Sequence, residues 1–177
     1  MKEQKSFTLI ETLVYIALFA ILMGGAVVVA YTVFESAGRN QAKQILQQEG
    51  DFLIGKIEWV LSGVQTIASP PLDPLNPTAP IQSSILQIAR YDGSSRTINT
   101  SEDCSGMTPT SNIFLQKGTS CSQLNNSNVQ INDLVFTRNP GEGINPESVS
   151  ASFTLTARTE NGMLINQDFS TTKYLRK

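Results

Sequence analysis

The sequence predicts an α+β protein in which a long N-terminal helix, membrane-spanning in its first half, packs on an antiparallel β-sheet. An uncharged apolar run fills most of roughly the N-terminal fifth of the chain. Apolar residues then recur at three- and four-residue spacing, and short alternating segments separated by turn residues follow. A helix followed by a series of strands is typical of this class.

The chain starts with a short polar leader, residues 1–6, which contains Lys2 and Lys5. We place a membrane-spanning helix at residues 7–34, because no charged side chain occurs between Leu13 and Phe34 and about 20 apolar residues cross a bilayer. Lysines before the span and few cations just after it predict a cytoplasmic N-terminus. We therefore expect a single-pass protein of the bacterial or archaeal-type cytoplasmic membrane with an exported head.

Glu11 lies inside this apolar segment. Its position and the length of the segment argue against simpler interpretations of the segment. A signal peptide has a shorter apolar stretch of about 7 to 15 residues, and a buried core helix needs no uncharged run of this length. A generic membrane anchor leaves Glu11 unexplained, since an ionisable group in a membrane span usually has a partner or a role. An acid that snorkels to the membrane interface remains an alternative.

Residues Lys5-Ser6-Phe7-Thr8-Leu9-Ile10-Glu11-Thr12-Leu13 resemble the class III signal of type IV prepilins and type II secretion pseudopilins. The resemblance implies that a prepilin peptidase cleaves between Ser6 and Phe7 and then N-methylates the new amine of Phe7. It also implies that Glu11 serves filament assembly by meeting the N-terminal amine of a neighbouring subunit. That contact compensates two charges that would otherwise lie unpaired in an apolar filament core.

The function that this resemblance implies is structural: a minor pilin or pseudopilin in a type IV pilus-like or type II secretion-like filament outside the cytoplasm. Its expected partners are other pilin or pseudopilin subunits, in a homo- or heteropolymer, the prepilin peptidase, an assembly platform protein, a cytoplasmic ATPase and the membrane. Adhesion, DNA uptake, motility and secretion stay open as purposes. The alternative is a membrane-anchored binding module whose exported β head does not polymerise, which makes Glu11 accidental.

Two features depart from the family pattern. The family nearly always has Gly before the cleavage site, where this chain has Ser6. Many major pilins also have Pro within the span, where this chain has only the Gly24-Gly25 pair as a weak point. That pair predicts either a site where the helix melts or bends, or close packing between helices.

An amphipathic continuation of the helix is predicted over residues 35–65, with the whole helix running from Phe7 to about Val64. Its apolar residues recur with helical periodicity at Ala42, Ile45, Leu46, Phe52, Leu53, Ile57, Val60, Leu61 and Val64. Trp59 is expected to cover the edge of the core of the head. Gly63 and the following Pro70-Pro71 predict the end of the helix.

A proline-rich connector at residues 66–82 precedes a β-rich head at residues 83–177. Five prolines between Ser69 and Pro80 exclude a helix or a central strand; the connector is either a stiff spacer or a loop that meets a neighbouring subunit. Strands are predicted at Ile85–Arg90, Asn112–Gln116, Val129–Arg138, Val149–Arg158 and Met163–Tyr174. Asn161-Gly162 predicts a hairpin turn between the last two strands, and Phe153, Leu155 and Ala157 would face the helix.

Cys104 and Cys121, the two cysteines of the chain, lie in Ser- and Thr-rich stretches without CxxC spacing. A zinc site would need carboxylate ligands, because the chain has no His. We therefore predict a disulfide between Cys104 and Cys121 across an exported loop, rather than two free thiols.

Charge and composition argue against several classes of function. The net charge of −2 without a Lys or Arg run gives no evidence for nucleic-acid binding. Without His or a phosphate-binding glycine motif, we expect no enzyme, no cofactor and no metal. Glu142 and Glu147 are interpreted as solvated carboxylates, and the Asn125-Asn126-Ser127 triplet as a chance match to a glycosylation signal.

Overall fold

The computed structural model of the chain describes residues 8–76, 78–100, 111–141, 146–159 and 161–175. In these ranges the chain forms one helix, α1 at Leu9–Leu61, and nine strands. The strands are β1 Val64–Ser69, β2 Ile81–Ser83, β3 Leu86–Arg90, β4 Ser95–Asn99, β5 Phe114–Lys117, β6 Ser120–Gln123, β7 Val129–Asn139, β8 Ser148–Arg158 and β9 Leu164–Tyr174. The chain divides into two compact units, one up to Gln41 and one from Ala42 onward.

The second unit contains two antiparallel sheets. One sheet has the strand order β1-β3-β4-β5-β6, and the other has the order β2-β7-β8-β9. The long strands β8 and β9 pair from Ser148 opposite Tyr174 to Arg158 opposite Leu164. Gly162 lies between them with φ 79°, a backbone conformation that glycine adopts without steric cost and that a tight hairpin turn requires.

The part of α1 that belongs to the second unit packs on these sheets along one face. Leu46, Leu53, Ile57 and Val60 are fully buried, and their spacing of seven, four and three residues keeps them on one side of a helix. They share one apolar cluster with residues of both sheets. Phe153, Leu155 and Ala157 belong to that cluster, as their alternation along the strand predicts.

The predicted fold class is confirmed, because one long helix with an apolar N-terminal part packs on antiparallel sheets. The strands form two sheets, a division that the sequence did not indicate. The helix ends at Leu61 rather than near Val64, because Gly63 has φ 76°, which stops the helix and allows β1 to begin at once. Strands β1, β2, β4 and β6 were not predicted.

Gly50 is buried on the core face of α1 and lies against the ring of Phe169. A methyl group added at Gly50 would overlap that ring. The ring of Phe169 in turn stacks on Phe153, with 5.6 Å between ring centroids. At Gly50, α1 therefore lies so close to Phe169 of β9 that position 50 has no room for a side chain.

Gly50→Ala should destabilise the head by up to about 2 kcal/mol, because overpacking a core costs about 1–3 kcal/mol and the gain in helix propensity offsets about 1 kcal/mol of that cost. Gly55→Ala is the matched control, since an added methyl group there meets nothing within 4 Å. It should stabilise the protein by about 0.5–1 kcal/mol. Urea unfolding of the full chain in detergent, followed by the fluorescence of Trp59, measures both; equal stabilisation of the two variants would contradict this packing.

Candidate functional site

Thr8 immediately precedes the first residue of α1, and its backbone carbonyl accepts the first hydrogen bonds of the helix. The carbonyl oxygen of Thr8 accepts hydrogen bonds from the amides of Glu11 at 3.1 Å and Thr12 at 3.3 Å. The hydroxyl of Thr12 donates to the carbonyl of Leu9 at 2.9 Å. Glu11 is therefore held in the first turn of the helix, where the exposed amides of the helix end favour a negative charge.

Thr8 and Glu11 also have the spacing of a capping box, in which the acid accepts a hydrogen bond from the backbone amide of the capping residue. The carboxylate of Glu11 makes no such bond, and no salt bridge within the described ranges involves it. Among the described residues, capping therefore leaves the carboxylate of Glu11 available to a further partner.

The helix beyond Glu11 presents an apolar surface on all sides. We call Leu9–Phe34 the anchor segment; Leu9 is 82% exposed and Phe34 is 76% exposed, and all its other residues except the half-buried Glu11 are exposed. Among the described residues, α1 is the one helix that is both long enough and apolar enough to cross a membrane. Apolar surface of this extent in a folded chain marks contact with lipid or with other protein.

Gly24 and Gly25 lie within the anchor segment, and α1 continues through both. A methyl group added at either glycine would meet nothing within 4 Å. Close packing within the chain therefore does not explain the pair, and the two predicted roles, bending and packing against another helix, both stay predictions.

Several predicted site residues lie outside the described residues: Ser6 and Phe7 of the cleavage site, Phe7 as the methylation site, and Cys104 of the disulfide. Cys121 lies on β6 and is half-buried. The disulfide between Cys104 and Cys121 stays a prediction, as do the roles of Ser6, Phe7 and Glu11.

Trp59 is the centre of a cationic cluster at the surface of the head. The residue is 45% exposed, as predicted for a position at the edge of the core. Arg96 lies 4.4 Å from the ring centroid, Arg90 5.6 Å and Lys56 5.8 Å. Nearby, hydrogen bonds from the hydroxyl and the amide of Ser94, together with the Arg90 and Arg96 charges, lower the pKa of Asp92 below its usual value.

Sequence reasoning missed two buried polar side chains that hold the head together. Glu147, interpreted as a solvated carboxylate, accepts a 2.6 Å hydrogen bond from Nε of Arg138, and both side chains are nearly buried. The Nη1 group of Arg138 also donates to the carbonyls of Ile67 and Pro70, each at 3.1 Å. This ion pair therefore ties β7 to β1 of the other sheet, and nothing in the local sequence indicates it.

Asn125 is the second such residue, with 5% of its surface exposed. Its side-chain oxygen accepts a hydrogen bond from the amide of Ile113 at 2.9 Å, and its amide group donates to the carbonyl of Val129 at 2.6 Å. A side chain bonded at both ends and buried in this way is not an accessible glycosylation acceptor, which agrees with a chance match to the triplet.

Comparison with known proteins places the N-terminal segment in a recognised class. Residues 1–27 match the family model described as the prokaryotic N-terminal methylation motif, which is the class III signal of type IV pilins and pseudopilins. No curated protein and no solved structure matches the chain.

The chain thus carries a type IV pilin-like prepilin signal, and its apolar helix together with that signal indicates a single-pass membrane anchor. The match covers the leader and most of the anchor segment, and it favours a structural over an enzymatic role. The β-rich head lies outside the matched residues.

Proposed function

We propose that this chain is a structural subunit, a minor pilin or a pseudopilin, of a type IV pilus-like or type II secretion-like filament. The observation that carries the proposal is the match of residues 1–27 to the methylation motif, together with an anchor segment that is apolar and exposed on all sides. Such a helix needs lipid before assembly and the helices of other subunits after it.

Processing would occur between Ser6 and Phe7, on the cytoplasmic side of the membrane. The prepilin peptidase would remove residues 1–6 and methylate the amine of Phe7, which leaves a positive charge one helical turn before Glu11. In the filament, the carboxylate of Glu11 would meet the amine of a neighbouring subunit. Pairing the two charges avoids the cost of an isolated charge in an apolar core.

The domain organisation that follows comprises the leader at 1–6, the filament-core helix at 7–34, an amphipathic helix that ends at Leu61 rather than at residue 65, and a β-rich head that starts with β1. The proline-rich connector, predicted at 66–82, is shorter and joins β1 to β2 within this head. The head would be exported and would coat the filament. An assembly platform protein would extract the processed subunit from the membrane. In the oxidising exterior, Cys104 and Cys121 would close a loop of 16 intervening residues, worth roughly 3 kcal/mol in the loop-entropy model.

Variants of Ser6 test the proposal through the processing step. The peptidase must hold an extended backbone closely, so Ser6→Gly should be cleaved as completely as the parent or more so. Ser6→Trp should remain at full length and be absent from sheared surface filaments. Gel mobility and immunodetection of membrane and sheared fractions measure both variants. If the parent and both variants all migrate as full-length chains, the result would instead favour the membrane-anchored binding module.

A further inference from the structure

Leu75 is 95% exposed, the highest value among the large apolar residues of the head. It lies in the loop of residues 70–76, which we call the Leu75 loop. The carboxylate of Asp73 accepts a 2.8 Å hydrogen bond from the amide of Leu75, and Pro71 and Pro74, both of which precede Leu75, restrict the backbone. An apolar side chain held outward on a stiff turn loses little conformational freedom when it binds.

The same head contains an apolar groove that no side chain of the described residues fills. The groove has a volume of about 480 Å³, within the size range of ligand-binding pockets and large enough for a leucine side chain. We call it the β1 groove, and it is lined by Leu61, Ser62, Gly63, Val64, Tyr91, Lys173, Tyr174 and Leu175. Leu61 and Val64 are buried at its floor, whereas Tyr91 and Tyr174 are 67% and 63% exposed.

The Leu75 loop and the β1 groove lie at opposite ends of β1. The groove includes Val64, where the strand starts, and the loop leaves from Ser69, where it ends. Six residues of strand separate these ends by roughly 17 Å. A projection and a complementary pocket at different places on one molecule make a contact that repeats from copy to copy instead of closing on itself.

Charge is also complementary between the loop and the groove. Lys173, at the groove, makes no salt bridge with any residue that the structure describes, and the same holds for Asp73. One oxygen of Asp73 bonds the amide of Leu75, so its charge lies two residues from the projecting leucine. A loop that enters the groove would bring this carboxylate to the rim near Lys173.

From these observations we infer that the Leu75 loop of one copy of this chain docks into the β1 groove of a second copy, with Asp73 facing Lys173. This contact rests on the proposed filament function with copies of this chain as neighbours, because a head-to-tail contact between exported heads is what a homopolymer of the chain supplies. It adds to that function a named interface between heads, separate from the Glu11 contact of the anchor segment.

Photo-crosslinking of the full chain in its native cells tests the contact. A photoreactive residue replaces Leu75, and the control places it at Leu164, which is 58% exposed and outside both surfaces. The Leu75 probe should give a dimer of the chain whose adduct maps to the peptides around residues 61–64, 91 or 173–175, and the Leu164 probe should not. An adduct to another protein, an adduct elsewhere, or none would overturn the inference.

Charge exchange gives an independent readout. Asp73→Lys and Lys173→Asp should each reduce the mapped adduct by about fivefold or more, and the double variant should restore at least half of it; no restoration contradicts the pairing. Both membrane and filament fractions are analysed. Absence of the parent chain from filaments would refute the proposed function, whereas a chain present in filaments without the adduct would refute only this contact.

Discussion

Glu11→Ala should lower the amount of this protein in the sheared filament fraction by about a hundredfold, with membrane insertion unchanged. Removing one partner of a buried ion pair leaves the other charge uncompensated and costs about 3–5 kcal/mol, and each 1.4 kcal/mol is a factor of ten in an equilibrium. Because the Glu11 side chain makes no hydrogen bond within the described part of the chain, the loss is expected in assembly and not in folding.

The control for this experiment is Glu35→Ala, which removes another acid from the same helix. Glu35 forms a 3.2 Å salt bridge with Arg39, and both side chains are partly exposed. Such pairs contribute about 0–1 kcal/mol, so this variant should reach filaments at nearly the parent level. Quantitative immunodetection in membrane and filament fractions measures both variants; a Glu11→Ala chain that incorporates as well as Glu35→Ala would contradict the assembly role of Glu11.

Glu147→Ala should destabilise the head by about 3–5 kcal/mol, the second large effect that we expect. The substitution leaves the guanidinium of Arg138 nearly buried without its carboxylate, and an uncompensated buried charge costs about that much. It also releases the group that orients Arg138 toward the carbonyls of Ile67 and Pro70. Urea unfolding of the full chain in detergent measures the loss.

The double variant Arg138→Met with Glu147→Leu is the informative comparison, because replacing both members of a buried pair by apolar groups is often neutral. It should recover part of the stability lost in Glu147→Ala, although the carbonyls of Ile67 and Pro70 then lose a donor. Arg39→Ala, which breaks the exposed pair with Glu35, should change stability by less than about 1 kcal/mol. Equal losses in Glu147→Ala and Arg39→Ala would show that the buried pair does not hold the sheets together.

The parts of the fold that the sequence predicts are those in which the signal is local. A run without charges, a helical repeat of apolar residues and the Asn161-Gly162 turn each act over a few neighbouring residues, and they predict the anchor segment, α1 and the hairpin of β8 and β9. The short strands β1 and β4 lack such a signal. They are strands because they pair with β3 on either side, and pairing partners are not readable from short segments of sequence.

The polar residues of the head show the same limit of prediction from local sequence. Glu147 and Asn125 have local surroundings typical of surface loops, yet the fold buries Asn125 and nearly buries Glu147. Their roles depend on Arg138, Ile113 and Val129, which the topology brings to them. Glu11 is the reverse case, since its significance is visible from its place in an apolar run, and none of the described residues is a hydrogen-bond or salt-bridge partner of its carboxylate.

The most direct test of the central claim is peptide mass analysis of the N-terminus, on protein taken from native membranes and from sheared surface fractions. We predict a chain that begins at an N-methylated Phe7 in the filament fraction, despite Ser6 at the cleavage site. A chain that retains residues 1–6 in every fraction would contradict the prepilin pathway and with it the proposed filament function.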